Sequence, residues 1–278
     1  MRSITLLIGI LILVSVSTAQ RIAILHPAPE QSIPKFTSEL RSRLSDRFKI
    51  LDDSLADSAF RSVSVADPYN LSTAEARQVG EVIGVENFVL IRSAIQRRAS
   101  LDGPAYFEAY AVAYVANSRA GSLILWYLES VRGANENEAA AKLIDAVPKV
   151  VAIIEMALKG NRFSIIRDPK FLEVPPENSS LAKGLRTPVP YRRIKPEYTD
   201  LASNYSVRAT IDIEVDVEAD GSIARTSIER WAGFGLEESV EKAVRSMNWR
   251  PAERDGKTLP MRILLRYNFT KIEKDEAP

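Results

Sequence analysis

The sequence predicts an α+β protein in two parts: an N-terminal α/β domain with an antiparallel meander and a long helix, then a C-terminal β-β-α-β domain. Three observations lead there. At 278 residues the chain exceeds the usual size of one domain, and its 46% hydrophobic and 26% charged residues are enough for a core in each half. Two regions of strong apolar periodicity flank a stretch, 167–186, that has none. The strands are grouped unevenly, three in succession in the first region and a hairpin-helix-strand in the second, which separates the two architectures.

The bulk numbers also exclude function classes. Lys+Arg total 37 against 36 Asp+Glu, so no global field draws the protein to nucleic acid, and no nucleic-acid partner is expected. With no Cys, disulfides, thiolate nucleophiles and thiolate metal sites are ruled out.

Residues 1–19 read as a secretory signal peptide. Arg2 supplies the positive start, Ile4 to Val16 is apolar apart from Thr5, Gly9 and Ser15, and Ser17-Thr18-Ala19 offers small residues for cleavage before Gln20. The alternative is an uncleaved inner-membrane anchor facing the periplasm, but the run is short of the roughly 20 residues a spanning helix needs. The expected location is therefore the periplasm, with membrane association only if this segment is retained.

The N-terminal α/β domain is expected over 20–166. Arg21 to Leu25 is a short strand halted by His26-Pro27-Ala28-Pro29. Phe36, Leu40 and Leu44 form a helical stripe, and Phe48 to Leu51 is a second short strand. Ser72-Thr73-Ala74-Glu75 has the form of a capping box, opening a helix with Ala76, Val79 and Ile83 on one face that stops at Gly84. Asn87 to Arg97, Ala105 to Ala116 and Ser122 to Arg132 should form the meander. Ala139, Leu143, Val147, Val150, Val151, Ile154 and Leu158 give a long helical stripe, and Pro148 inside it predicts a kink or a break. A further strand is expected at 163–166.

A Pro-containing linker follows over 167–186, then the C-terminal domain over 187–270 and a tail over 271–278. Val207, Ala209, Ile211, Ile213, Val215 and Val217 alternate with Arg208, Thr210, Asp212, Glu214 and Asp216, a strand with one buried and one wet face. Asp220-Gly221 is a hairpin turn leading to a strand that ends near Trp231. Leu236, Val240, Ala243, Val244 and Met247 follow helical spacing, and Met261, Ile263, Leu265, Tyr267 and Phe269 alternate again.

Pro196-Glu197-Tyr198, Asp220-Gly221, Gly235-Leu236-Glu237, Trp249-Arg250-Pro251-Ala252 and Asp255-Gly256-Lys257 stand in the order and spacing of the TonB C-terminal domain. The segment from about 187 to 269 resembles that family. The resemblance implies an envelope module that pairs a strand with an extended peptide segment of an envelope protein, a TonB-dependent outer-membrane transporter being the candidate partner. It departs from the family at Thr199, where a second Pro is usual, and a folded domain stands in place of the long Pro-rich spacer. More faintly, Arg21 to Leu25, the Phe36-Leu40-Leu44 helix and Val79 to Leu90 resemble the TolB N-terminal domain and the curli-secretion lipoprotein.

Other chemistry is weak. His26, the only His, reads as an exposed loop residue. Three scattered Ser-x-x-Lys matches lack companion motifs. Asp53 reads as a helix N-cap, and Asp52, Asp53 and Asp57 fall short of the ligands a hard cation needs. Asn70, Asn178 and Asn204 match the glycosylation pattern by chance. Tyr106, Tyr110 and Tyr114 share a strand face, read first as packing under the long helix and second as a binding platform. No catalytic residue, cofactor or metal is expected.

The partner site is expected along Met261 to Phe269, the strand that in the resembling family lies beside the bound peptide. Arg262, Leu264, Arg266 and Asn268 should lie away from the helix and flank the added strand, with Arg193 and Lys195 of the preceding loop as the second location. A homodimer is a further candidate, and a periplasmic assembly factor whose N-terminal domain holds the specific function is the alternative reading. The mature protein should begin at or near Gln20; intact mass after secretion checks it, and a membrane-embedded chain retaining Arg2 would establish the anchor instead.

Overall fold

The computed structural model describes residues 20–27, 32–99, 103–160 and 167–270. The expected signal peptide, the strand expected at 163–166 and the tail lie outside the described residues.

The first part runs β1 (Arg21–Leu25), α1 (Pro34–Ser45), β2 (Lys49–Ile50), α2 (Asp53–Ser62), α3 (Thr73–Ile83), β3 (Asn87–Arg98), β4 (Tyr106–Asn117), β5 (Leu123–Gly133), α4 (Glu136–Asp145) and α5 (Val147–Gly160). Its sheet has the order β2-β1-β3-β4-β5, parallel around β1 and antiparallel through the β3-β4-β5 meander. Alternation divides each strand between two cores. Ile22 and Ile24 face Phe36, Leu40 and Leu44 of α1 together with Leu143, Val147 and Ile154 of α4 and α5. Ala23 and Leu25 face the opposite core, which holds Val79 and Ile83 of α3.

Local chemistry sets the helix ends. Ser72 and Glu75 form both bonds of the capping box, and Gly84 closes α3 in the left-handed conformation, at φ +73°. The long apolar stripe breaks into α4 and α5 at Ala146, which puts Pro148 in the first turn of α5, where its missing N–H costs nothing. The α2 cap lies one residue earlier than expected. Asp52 accepts the Ser54 and Leu55 N–H groups, while Asp53 is the first helical residue and pairs with Arg41.

The second part contains β6 (Leu172–Glu173), a 3-10 turn at Ser180–Ala182, β7 (Leu185–Arg186), β8 (Val189–Pro190), α6 (Asp200–Asn204), β9 (Ala209–Val217), β10 (Ile223–Arg230), α7 (Leu236–Arg245), β11 (Trp249–Arg250), β12 (Ala252–Arg254), β13 (Lys257–Leu259) and β14 (Met261–Phe269). The main sheet has the order β10-β9-β14-β6, and β11-β8 and β13-β12-β7 form small additions. Ile211, Ile213 and Val215 of β9 pack with Leu236, Val240 and Val244 of α7. The expected β-β-α-β unit is thus β9, β10, α7 and β14.

Three expectations need correction here. The stretch 167–186 is not a free linker: β6 pairs with Met261 and Arg262, β7 pairs with Glu253 and Arg254, and Phe171 is buried. Two-residue strands have no period, so periodicity could not reveal them. The second face of β9 is not wet, because arginine side chains cover Asp212, Glu214 and Asp216. Tyr110 and Tyr114 do not pack under α5, which lies on the other face of the sheet.

Those tyrosines instead receive the second part of the chain. Tyr110 meets Tyr205 edge-on at 4.9 Å between ring centres, and Tyr114 lies 5.9 Å from Trp231. The Trp231 indole donates to the Gly121 carbonyl, and Gly233 packs so close to Trp126 that an added Cβ would sit 2.0 Å from the indole. Both parts share one continuous apolar core.

His26 is not an exposed loop residue. It directly follows β1 and is half-buried, with both ring nitrogens shielded from solvent. Burial, aided by the Arg41 charge, lowers its pKa from 6.5 to about 4. The unfolded chain therefore binds the extra proton between these values, so the neutral imidazole's stability is full above about pH 6.5 and lost as pH falls toward 4, by about 2 kcal/mol at pH 5. His26→Gln should flatten this part of the pH dependence in denaturant titrations; an unchanged slope would mean that the imidazole is solvated.

Candidate binding edge

β14 is paired with β9 over its whole length, from Met261↔Val217 to Phe269↔Ala209. On its other side only Met261 and Arg262 have partners, Leu172 and Glu173 of β6. From Ile263 to Phe269 the outer edge has no strand beside it among the described residues, so unpaired main-chain groups are presented there.

The four residues expected to flank an added strand have different fates. Leu264 is 54% exposed and sits on the open stretch. Arg262 is only 6% exposed. It grips Asp216 through Nε at 2.6 Å and Nη2 at 3.1 Å, and reaches Glu214 at 3.1 Å. Arg225 bonds the same two carboxylates and Arg167 bonds Glu214 at 3.0 Å. Arg262 is therefore a structural cation and not a free contact, a correction that follows from its register opposite Asp216. Arg266 is bidentate to Asp212 but keeps its side chain exposed, and Asn268 accepts the Thr210 hydroxyl.

Burial tests each carboxylate differently. It pushes Asp216 up, yet the guanidinium hydrogen bonds of Arg262 and Arg225 outweigh it and hold the group below the usual range. Glu214 stays raised because burial exceeds the attraction of Arg167, Arg262 and Arg225.

The second expected location lies beside the first. The Arg193 guanidinium stands 5.4 Å over the Tyr267 ring. Lys195, Pro196, Tyr198, Tyr267 and Phe269 line a groove of about 290 Å³ at the end of β14. Tyr198 stacks on Phe269 and donates its hydroxyl to the Val207 and Ala202 carbonyls, which fixes the groove wall. Loop and edge thus converge on the C-terminal half of β14. Tyr198 and Tyr267 line this groove although neither is among the residues expected there, and Tyr198 stands in the Pro196-Glu197-Tyr198 motif.

Among the described residues no group of three or more His, Asp or Glu side chains could hold a metal ion, and no helix is long and apolar enough to cross a membrane. The arginine lattice yields its own prediction. Arg262→Ala leaves the 1% exposed Asp216 short of its bidentate partner and should cost about 3 kcal/mol of stability in denaturant melts. A loss below about 0.5 kcal/mol would mean that Arg225 alone satisfies the buried carboxylates.

No curated protein matches the chain. Among solved structures, a hypothetical protein from Chlamydia trachomatis is 18% identical, covering 51% of this chain and 99% of that one with a TM-score of 0.34. A lipoprotein from Neisseria meningitidis is 15% identical, covering 49% and 98% with a TM-score of 0.32. The TonB C-terminal domain of Pseudomonas aeruginosa is 17% identical, covering 35% and 93% with a TM-score of 0.27. The segment that spans the groove loop, α6, β9, β10, α7 and β14, residues 194–270, matches the family of the Gram-negative bacterial TonB protein C-terminal.

Proposed function

We propose that the chain is an exported binding protein of the bacterial envelope, working in the periplasm, that holds an extended segment of an envelope protein by strand addition to β14. The observation behind this reading is the half-covered edge: β6 occupies Met261 and Arg262 and the rest of β14 is open. An added strand gains a main-chain ladder along Ile263 to Phe269, and β6 sets where it must end. The Tyr198, Tyr267 and Phe269 groove takes an apolar side chain, while Lys195 at its mouth and the exposed Arg266 favour acidic or polar neighbours. The family match makes a TonB-dependent outer-membrane transporter the candidate partner.

Binding of this kind needs no catalytic group, and the reading is of a binding module, not an enzyme. Its test is capture of envelope proteins by the full chain and by folded Leu264→Pro and Lys195→Glu variants. Leu264→Pro should abolish capture by breaking the ladder, and Lys195→Glu should weaken it for an acidic partner by about threefold. Full retention by both would exclude this edge. Retention by both with loss on substitution in the five-stranded sheet would favour an assembly factor whose N-terminal part holds the specificity.

A further inference from the structure

The five-stranded sheet also ends on an open strand. β5 pairs only with β4, and its outer edge has no neighbour among the described residues. The edge runs Leu123-Ile124-Leu125-Trp126-Tyr127-Leu128, six apolar residues in succession, all partly exposed. Edge strands are ordinarily blunted by Lys, Pro or inward charge, and this run has none of these, only the bulge at Ile124. An apolar, half-exposed edge of that kind is built to be covered.

The surroundings say by what chemistry. Ile124 and Trp126 line an open cleft of about 580 Å³ whose far wall is Ile228 of β10 and the first turns of α7. The charged groups lining it are Glu237, Glu238 and Glu241, with no Lys or Arg. Glu237 is engaged by the Ala232 and Gly233 N–H groups, and Glu241 by Arg245 and Thr226. Glu238 is exposed and has no ion pair among the described residues. Burial pushes the Glu237 carboxyl up, so the exposed Glu238 is the full charge facing the cleft, and it exceeds the roughly half positive charge of the helix start.

We propose that the outer edge of β5 is a second strand-addition site, which takes an extended partner segment in which apolar residues alternate with Lys or Arg. The partner's main chain extends the meander by one strand. By strand alternation its apolar side chains all lie on one face and cover Leu125 and Tyr127, while its cations lie on the other, the Trp126 side, and meet Glu238 across the cleft. This site is independent of the β14 edge in position and in charge preference.

The experiment uses the full chain and two capped synthetic octapeptides, alternating Val-Lys and alternating Val-Glu, titrated by calorimetry at two salt concentrations. The Val-Lys probe should bind at least about tenfold tighter, and less so at high salt. Ile124→Lys should abolish binding, and Glu238→Lys, on the exposed surface of α7 and outside β5, should weaken it by about threefold or more. Lys195→Glu should leave it unchanged, so this site and the β14 edge fail separately. Equal affinity for the two probes, retention by a folded Ile124→Lys variant, or no effect of Glu238→Lys would overturn the proposal. So would concentration-dependent dimerisation that Ile124→Lys abolishes, which would assign the edge to a second copy of the chain.

Discussion

Asn70 is a buried amide whose polar capacity is spent across the junction of the two sheets. Its Nδ2 donates to the carbonyls of Thr210 at 2.8 Å and Trp231 at 2.9 Å, and its Oδ1 accepts the Thr210 N–H at 2.8 Å. A buried side chain left without such partners would cost about 1 to 3 kcal/mol for each unmet group, so the geometry is tightly constrained. Arg230 adds a bond to the Asn70 carbonyl and an ion pair with Glu75, and the Trp231 N–H bonds Leu71. The chain between α2 and α3 thereby seats the start of β9 and the end of β10. Around that polar pin the aromatic contacts of Tyr110, Tyr114, Tyr205 and Trp231 supply the area, each ring pair adding roughly 0.5 to 1.5 kcal/mol beyond burial.

The seating decides which edges remain available. β10 is capped at its end by the bridge between Ser72 and Arg230, so that side of the main sheet is partly closed. β14, on the other side, is closed only where β6 lies. Between them β9 bears three carboxylates answered by arginines from β10, β14 and the segment before β6. Such a lattice adds little net stability, because desolvation consumes most of the Coulomb gain. It does hold β14 and the 167–173 segment in one register, and a strand already fixed in place loses less entropy when another is laid beside it.

Much of this was legible in the sequence. Periodicity found the meander, the α1 stripe and the β-β-α-β unit, and short-range chemistry found the capping box and the break before Pro148. What escaped was whatever depended on a partner distant in the chain. Arg262 and Asp216 each read as a solvated charge in an alternating strand, and only the register of β14 on β9 brings them together. His26 looked like a loop residue because nothing near it in sequence announces that Arg41 and the end of β1 enclose it. Asn70 looked like a chance glycosylation match, while its true partners lie about 140 and 161 positions away. Of the candidate site, the edge and the loop were each expected from the sequence, while their convergence on Tyr267 depends on packing that no local pattern shows.

The contrast between the two open strands follows from the same physics. On the open part of β14 the exposed positions are Leu264, Arg266 and Asn268, while Arg262 is buried among its carboxylates and the edge is shortened by β6. That is a protected edge with one apolar position exposed. On β5 the protection is nearly absent, and the cleft beside it owes its far wall to β10 and α7. The cleft therefore exists only while the second part is seated on the tyrosine face. The Asn70 and Trp231 contacts that join the two sheets thus also shape the surface by which the β5 edge can distinguish one extended segment from another.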